Sequence, residues 1–174
     1  MQLLRVFKEI DQLTTYYVSK SGSNSNDGLT VNRPFLTFTY ALTKASSGDN
    51  IVCVDNGTYT ENLTCKDSVN IYAPNARLSG AHTLADNHQF TFYMMDVADG
   101  ATGLTKGGTS VAYIDVKRIT VGNASRFLRN DSSTVSVKLG EIAIGTGSSL
   151  YYATGGGLSV CYLAFDNIEF GGLG

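Results

Sequence analysis

From residue 69 onward one short pattern recurs five times, and this recurrence constrains the fold more than any other feature of the chain. Val69-Asn70-Ile71-Tyr72, Met95-Asp96-Val97-Ala98, Ile119-Thr120-Val121-Gly122, Ile142-Ala143-Ile144-Gly145 and Ile168-Glu169-Phe170-Gly171 each read apolar, variable, apolar, small or aromatic. Their starts are 26, 24, 23 and 26 residues apart. Five and three residues ahead of the last four tetrads stand further apolar pairs: Phe90 and Phe92, Ile114 and Val116, Val137 and Leu139, Leu163 and Phe165. The first tetrad has Thr64 and Lys66 at those places, as a terminal repeat often does. Each unit therefore holds two short period-two strands joined by a tight bend, followed by a longer return loop. A unit of this size cannot bury its inward side chains alone, but coils stacked at about 4.8 Å bury them as continuous columns. The expected fold is all-β: a right-handed parallel β-helix of about six coils, counting the Ile51–Val54 run, and roughly 30 Å tall.

Composition agrees with such a stack. The 174 residues include 19 Gly and only 2 Pro, with 16% charged residues and a formal net charge of −2. Low charge with many Val, Ile, Tyr, Phe and Thr residues opposes disorder and favours strands. The basic footprint that phosphate neutralisation requires is missing, so nucleic acid is not an expected partner. There is no run of about 18 apolar residues, so no membrane insertion is expected. Arg5, Lys8, Glu9 and Asp11 interrupt the first apolar stretch, unlike the core of a secretory signal. Cys53, Cys65 and Cys161 are odd in number and lack CxxC spacing; the reading is buried free thiols, with neither a disulfide framework nor a zinc site.

Residues 1–15 form a segment of their own. Leu3, Val6, Phe7, Ile10 and Leu13 fall on one stripe of an amphipathic helix, with the charged residues off it. Such a helix either lies on its own domain or serves as an anchoring arm that docks on another subunit; one this short needs tertiary packing in both cases. The β-helix domain then runs over 16–174. It starts with the β-run Tyr16–Ser19, a polar Gly-rich turn up to Gly28, and a short amphipathic helix over 35–45 after Pro34.

The stretch from Tyr16 to about Ala73 resembles the N-terminal region of the pectate-lyase-like single-stranded right-handed β-helix superfamily. The resemblance is carried by Tyr16-Tyr17-Val18-Ser19, the Ser21–Gly28 turn, Pro34-Phe35 with the following helix, Gly48-Asp49-Asn50-Ile51-Val52-Cys53-Val54 and Asn56-Gly57-Thr58-Tyr59-Thr60-Glu61. It implies that the helix caps the first coil, where an open β-edge would otherwise be exposed. The superfamily spans polysaccharide lyases and hydrolases, bacterial surface proteins, and trimeric bacteriophage tailspikes and fibres. The short arm, the absence of a signal peptide and the Gly/Ser/Thr/Asn-rich surface look most like the phage group.

Catalysis in this superfamily calls for a carboxylate cluster with a general base, or for two carboxyl groups about 5–10 Å apart across a scissile bond. Aligning the repeats instead pairs Arg118 with Glu141 and Asp115 with Lys138, the opposite-charge ladders of an ordinary sheet surface. No Ser/His/Asp set, metal-ligand spacing or cofactor site is indicated. His82 and His88 read as solvated loop residues. Tyr151 and Tyr152, ahead of Gly155-Gly156-Gly157, offer either a carbohydrate-stacking platform or packing between protomers. The last tetrad closes at Gly171, three residues before the end, which leaves no cap for the final coil and suggests cover by another subunit or by further residues.

The first expectation is thus a non-enzymatic phage virion protein, a spike, fibre or decoration subunit exposed on the particle. It would be a homotrimer contacting other virion proteins through residues 1–15 and the last coil, and attaching to a host-surface glycan. Two alternatives stay open. One is the N-terminal part of a polysaccharide lyase or depolymerase whose catalytic coils lie beyond residue 174. The other is a carbohydrate-binding adhesin using Tyr151 and Tyr152.

Overall fold

The computed structural model describes residues 13–131, 134–153 and 160–165. In chain order the elements are β1 (Thr15–Val18), α1 (Phe38–Lys44), β2 (Asn50–Cys53), β3 (Thr58–Thr60), β4 (Asn70–Ser79), β5 (His82–Leu84), β6 (His88–Val97), β7 (Thr102–Lys106), β8 (Ala112–Val121), β9 (Arg126–Asn130), β10 (Thr134–Ile144), β11 (Ser149–Ala153) and β12 (Val160–Phe165). Strands pair in parallel with the equivalent strand of the next turn. One sheet runs β1-β2-β4-β6-β8-β10-β12, with β3 beside the second half of β4, and the other runs β5-β7-β9-β11. The chain is a parallel β-solenoid, with one short helix among the described residues.

Among the described residues four turns, from β4–β5 to β10–β11, contribute a strand to both sheets, against about six coils expected. The Ile51 run belongs to the capped first turn, and the tetrad at Ile168 lies outside the described residues.

The tight bend inferred from the repeat exists, but it lies inside a single long strand. In β6 the inward residues are His88, Phe90 and Phe92, and then Met95 and Val97; Tyr93 and Met94 both stay off the core between the two runs. Lys117-Arg118 in β8 and Gly140-Glu141 in β10 take the same place. Two successive off-core residues invert the pleat, which keeps both arms of the bent strand facing the core.

Two sequence readings need correction. The tetrad at Val69 is not level with the later ones: Ile71 pairs with Phe90 and Ala73 with Phe92, while Leu78 pairs with Met95. Val69–Tyr72 thus occupies the first arm of its strand, which explains why Thr64 and Lys66 failed to match. Beyond Ala73 the strand holds extra residues, Pro74-Asn75-Ala76, where the register shifts. The return loop, secondly, carries a third strand. Leu104, Leu128 and Tyr151 form an aligned column of the second sheet. Each lies nine residues after its tetrad start, a constant offset that a single recurring apolar position per loop is too weak to announce.

The core is a set of columns. Ile51, Ile71, Phe90, Ile114 and Val137 stack in register and are buried. Helix α1 is shorter than the expected 35–45. Thr37 is extended and caps it by accepting the Tyr40 N–H at 3.2 Å. Phe38 plugs the end of the column region, edge-on to Tyr59 and Phe92 with ring centroids 4.6 and 5.3 Å away. Seven residues would not hold a helix in water; this burial does.

Candidate functional site

The polar residues of the N-terminal motifs are used inside the molecule, in holding the cap to the first turns. The Asp49 carboxylate accepts the backbone N–H of Thr14 at 2.7 Å and of Ser46 at 2.8 Å. Asp55 accepts from the Lys20 amide at 2.5 Å, the Ser19 hydroxyl at 3.0 Å, the Gly57 amide at 3.0 Å and the Tyr59 hydroxyl at 3.0 Å. Partial burial opposes the Asp55 charge, but these donors prevail and hold its pKa down at about 2. Glu61 reaches the start of α1, where the Thr39 amide and hydroxyl donate at 2.8 and 2.7 Å. Burial pushes the Cys53 thiol up to about 11 and that of Cys65 up to about 12, so neither is a thiolate nucleophile at neutral pH. Both thiols are free and buried, as expected.

On the solvent side of the first sheet, one column reads Asn50, Asn70, Gln89, Tyr113, Ser136 and Tyr162 in successive turns. Its asparagines bridge successive turns: Asn70 Nδ2 donates to Asn50 Oδ1 at 3.2 Å, and the Gln89 backbone N–H donates to Asn70 Oδ1 at 3.1 Å. Tyr72, from the neighbouring column, donates its hydroxyl to Gln89 Oε1 at 3.1 Å. Past Gln89 the column becomes aromatic. Tyr113 is 54% and Tyr162 64% exposed, and they stand two turns apart, about 9.6 Å at the usual strand spacing. Tyr93, at the bend, is also exposed and lines an open hollow of about 520 Å³ with Val54, Asp55, Asn56 and Asn75. The result is a flat strip with an amide-rich end and a tyrosine-rich end. No repeat pattern in the sequence marks it, because Tyr113 and Tyr162 occupy the variable outward positions.

The charged ladders stand where the repeat alignment put them. Arg118 and Glu141 are cross-strand neighbours, and the Arg118 Nε donates to Glu141 Oε2 at 2.6 Å. Asp115 is level with Lys138, and Lys117 also lies 3.6 Å from its carboxylate. Among the described residues no group of three or more His, Cys, Asp or Glu side chains is placed to hold a metal ion.

The two histidines overturn their reading as solvated loop residues. His82 lies in β5 and His88 in β6, both inside the core at 2% and 0% exposure. Their rings flank Phe90 at 6.0 and 5.8 Å. Lys106 is likewise buried, in register with Leu84 and Asn130, and donates to Asp86 and to the carbonyl of Gly107. A polar residue at an inward β-position looks like a loop residue when the loop's strand goes unseen.

Of the apolar stripe of the proposed arm, Leu13 alone is described. It is 65% exposed beside Gly48, next to the point where Thr14 is tied to Asp49. Leu3, Val6, Phe7 and Ile10 lie outside the described residues. Tyr151 packs partly buried against the core, and the Asn130 amide donates to its hydroxyl at 3.5 Å. The side chain of Tyr152 lies outside the described residues.

Fold and surface together define a capped parallel β-solenoid with a polar-to-aromatic strip along one face. Compared with known proteins, the chain matches no family model, no curated protein and no solved structure.

Proposed function

We propose that the chain is a non-enzymatic structural subunit of a bacteriophage spike, fibre or decoration, built on a pectate-lyase-like right-handed β-helix and assembled as a homotrimer on the particle. The observation that carries this reading is the exposed pair Tyr113 and Tyr162 on a flat sheet face. Tyrosine supplies large rigid contact area at small entropic cost and is enriched where proteins meet. The use of Asp49, Asp55 and Glu61 in holding the cap supports a structural role for the motif residues, and the Arg118–Glu141 ladder supports the same for the outer surface. Residues 1–15 and the final coil supply the contacts to other virion proteins. Light scattering at micromolar concentration tests the assembly: three times the chain mass is expected, and a stable monomer opposes it.

A second reading is favoured by the same strip. A glycan lying along the stack would stack sugar faces on Tyr113 and Tyr162 and hydrogen-bond to Gln89 and Ser136, which would make the face a host-attachment surface. Binding of a host-surface polysaccharide that survives replacement of both tyrosines by Ser would remove it.

A further inference from the structure

Two buried histidines join the same pair of successive turns, with opposite hydrogen-bond polarity. The lower turn contributes residues 63–69 and the upper one residues 82–88. His82 Nδ1 accepts the backbone N–H of Leu63 at 3.3 Å. His88 Nδ1 meets the backbone carbonyl of Val69, so there the ring nitrogen must donate. These bonds fix the tautomers. His82 carries its proton on Nε2 and His88 on Nδ1, and both Nε2 atoms are buried with no hydrogen-bond partner. Backbone bonds accompany them: Cys65 N–H donates to Thr83 O at 2.9 Å and Ser68 N–H to Asp86 O at 2.9 Å.

We infer that this boundary is an acid-labile joint between the capped first turn and the rest of the stack, opened when His82 takes a proton on Nδ1. That proton would face the Leu63 N–H, donor against donor, and the Leu63 amide would lose its acceptor. His88 reacts differently: a second proton goes to Nε2 and leaves the Val69 bond in place. The surrounding groups do not favour the added charge. From the lower turn Cys65 is neutral, Lys66 donates to the Ala45 carbonyl at 2.8 Å, and Asp67 accepts the Asp86 amide at 3.0 Å. Within the upper turn Asp86 is engaged by Lys106, and the Lys106 charge from β7 acts against protonation of His88. Burial holds both imidazoles down at about 4, so the proton arrives only in clearly acidic solution.

Amide hydrogen exchange followed by NMR, in the full chain, tests the joint. Between about pH 7 and about pH 4 the protection of the Leu63 amide should fall about a hundredfold and end below that of amides in β8 and β10. In His82→Asn, whose side-chain oxygen can accept from Leu63 without titrating, that fall should shrink at least tenfold. Protection of Leu63 equal to that of β8 at about pH 4, or an unchanged fall in His82→Asn, would overturn the inference. Should the variant not fold, the wild-type ring decides. The His82 Nδ1 resonance and the Leu63 amide should titrate together, and an Nδ1 titration near the ordinary histidine value that leaves Leu63 unmoved would contradict the joint.

Discussion

The Glu61 carboxylate and the Thr39 backbone amide meet at 2.8 Å across 22 residues, joining the segment that follows β3 to the first turn of the capping helix. A carboxylate there satisfies orphan N–H groups and complements the positive helix end. Replacing Glu61 by Ala should cost about 1–2 kcal/mol, and by Gln about half of that, because the amide keeps one acceptor but no charge. Urea unfolding checks this, with an unchanged slope expected for both variants.

Lys106 and Asp86 form an unequal pair. The lysine side chain is 0% and the aspartate 23% exposed. Asp86→Ala leaves a buried ammonium without its carboxylate and should cost about 3–5 kcal/mol. Lys106→Met keeps the volume of the stem and frees a carboxylate that already reaches water; its cost should be about 1–2 kcal/mol at most. Equal losses by calorimetry would show that shape, not charge, sets the role of Lys106.

Stability should fall with acid before ordinary carboxylates protonate. His82 and His88 have folded values near 4 against 6.5 in the unfolded chain, so between those values the unfolded state binds more protons. The stability is complete above about pH 6.5 and is lost as pH falls towards 4, by roughly 3 kcal/mol per histidine. The depressed pKa of Asp86, set chiefly by Lys106, pushes the same way at lower pH. A melting temperature that is flat from about pH 7 to about pH 5 would contradict this ordering.

Gly80 has φ of +132°, and a Cβ there would come 2.3 Å from the Glu61 carbonyl oxygen. Gly80→Ala therefore faces both a strained conformation and a backbone clash, and should lose about 2–3 kcal/mol. Gly100→Ala, also at positive φ but with open space, should lose about 1 kcal/mol. Equal losses in thermal unfolding would show that the clash contributes nothing.

How much of this was legible depended on repetition. Phe90, Ile114 and Val137 were readable as a column because both arms of the bent strand contribute two apolar residues per turn, at fixed offsets. The Arg118–Glu141 pairing followed from the same alignment. What failed did so where one turn differs from the next. Pro74-Asn75-Ala76 stand opposite the single Tyr93 and the Val69 tetrad falls on the first arm of its strand instead of the second, while the third strand has only one apolar position that recurs at a constant offset. His82 and Lys106 sit on that third strand, in β5 and β7, while His88 opens the long strand β6 two residues ahead of its first repeating apolar residue; a polar residue is recognisable as buried only when its inward position is known. The tyrosine strip had no signal at all, since register decides which variable positions share a face.

Replacement of both Tyr113 and Tyr162 by Ser should leave chain stability within about 0.5 kcal/mol, because both rings are exposed, while weakening self-association at least tenfold. Unchanged assembly would move the interface to another face of the stack.

The most direct test of the account is the mass of the intact wild-type protein in solution, by sedimentation equilibrium at micromolar concentration and neutral pH. A single species of three chains is the result predicted for a spike, fibre or decoration subunit; a stable single chain across that range would contradict it.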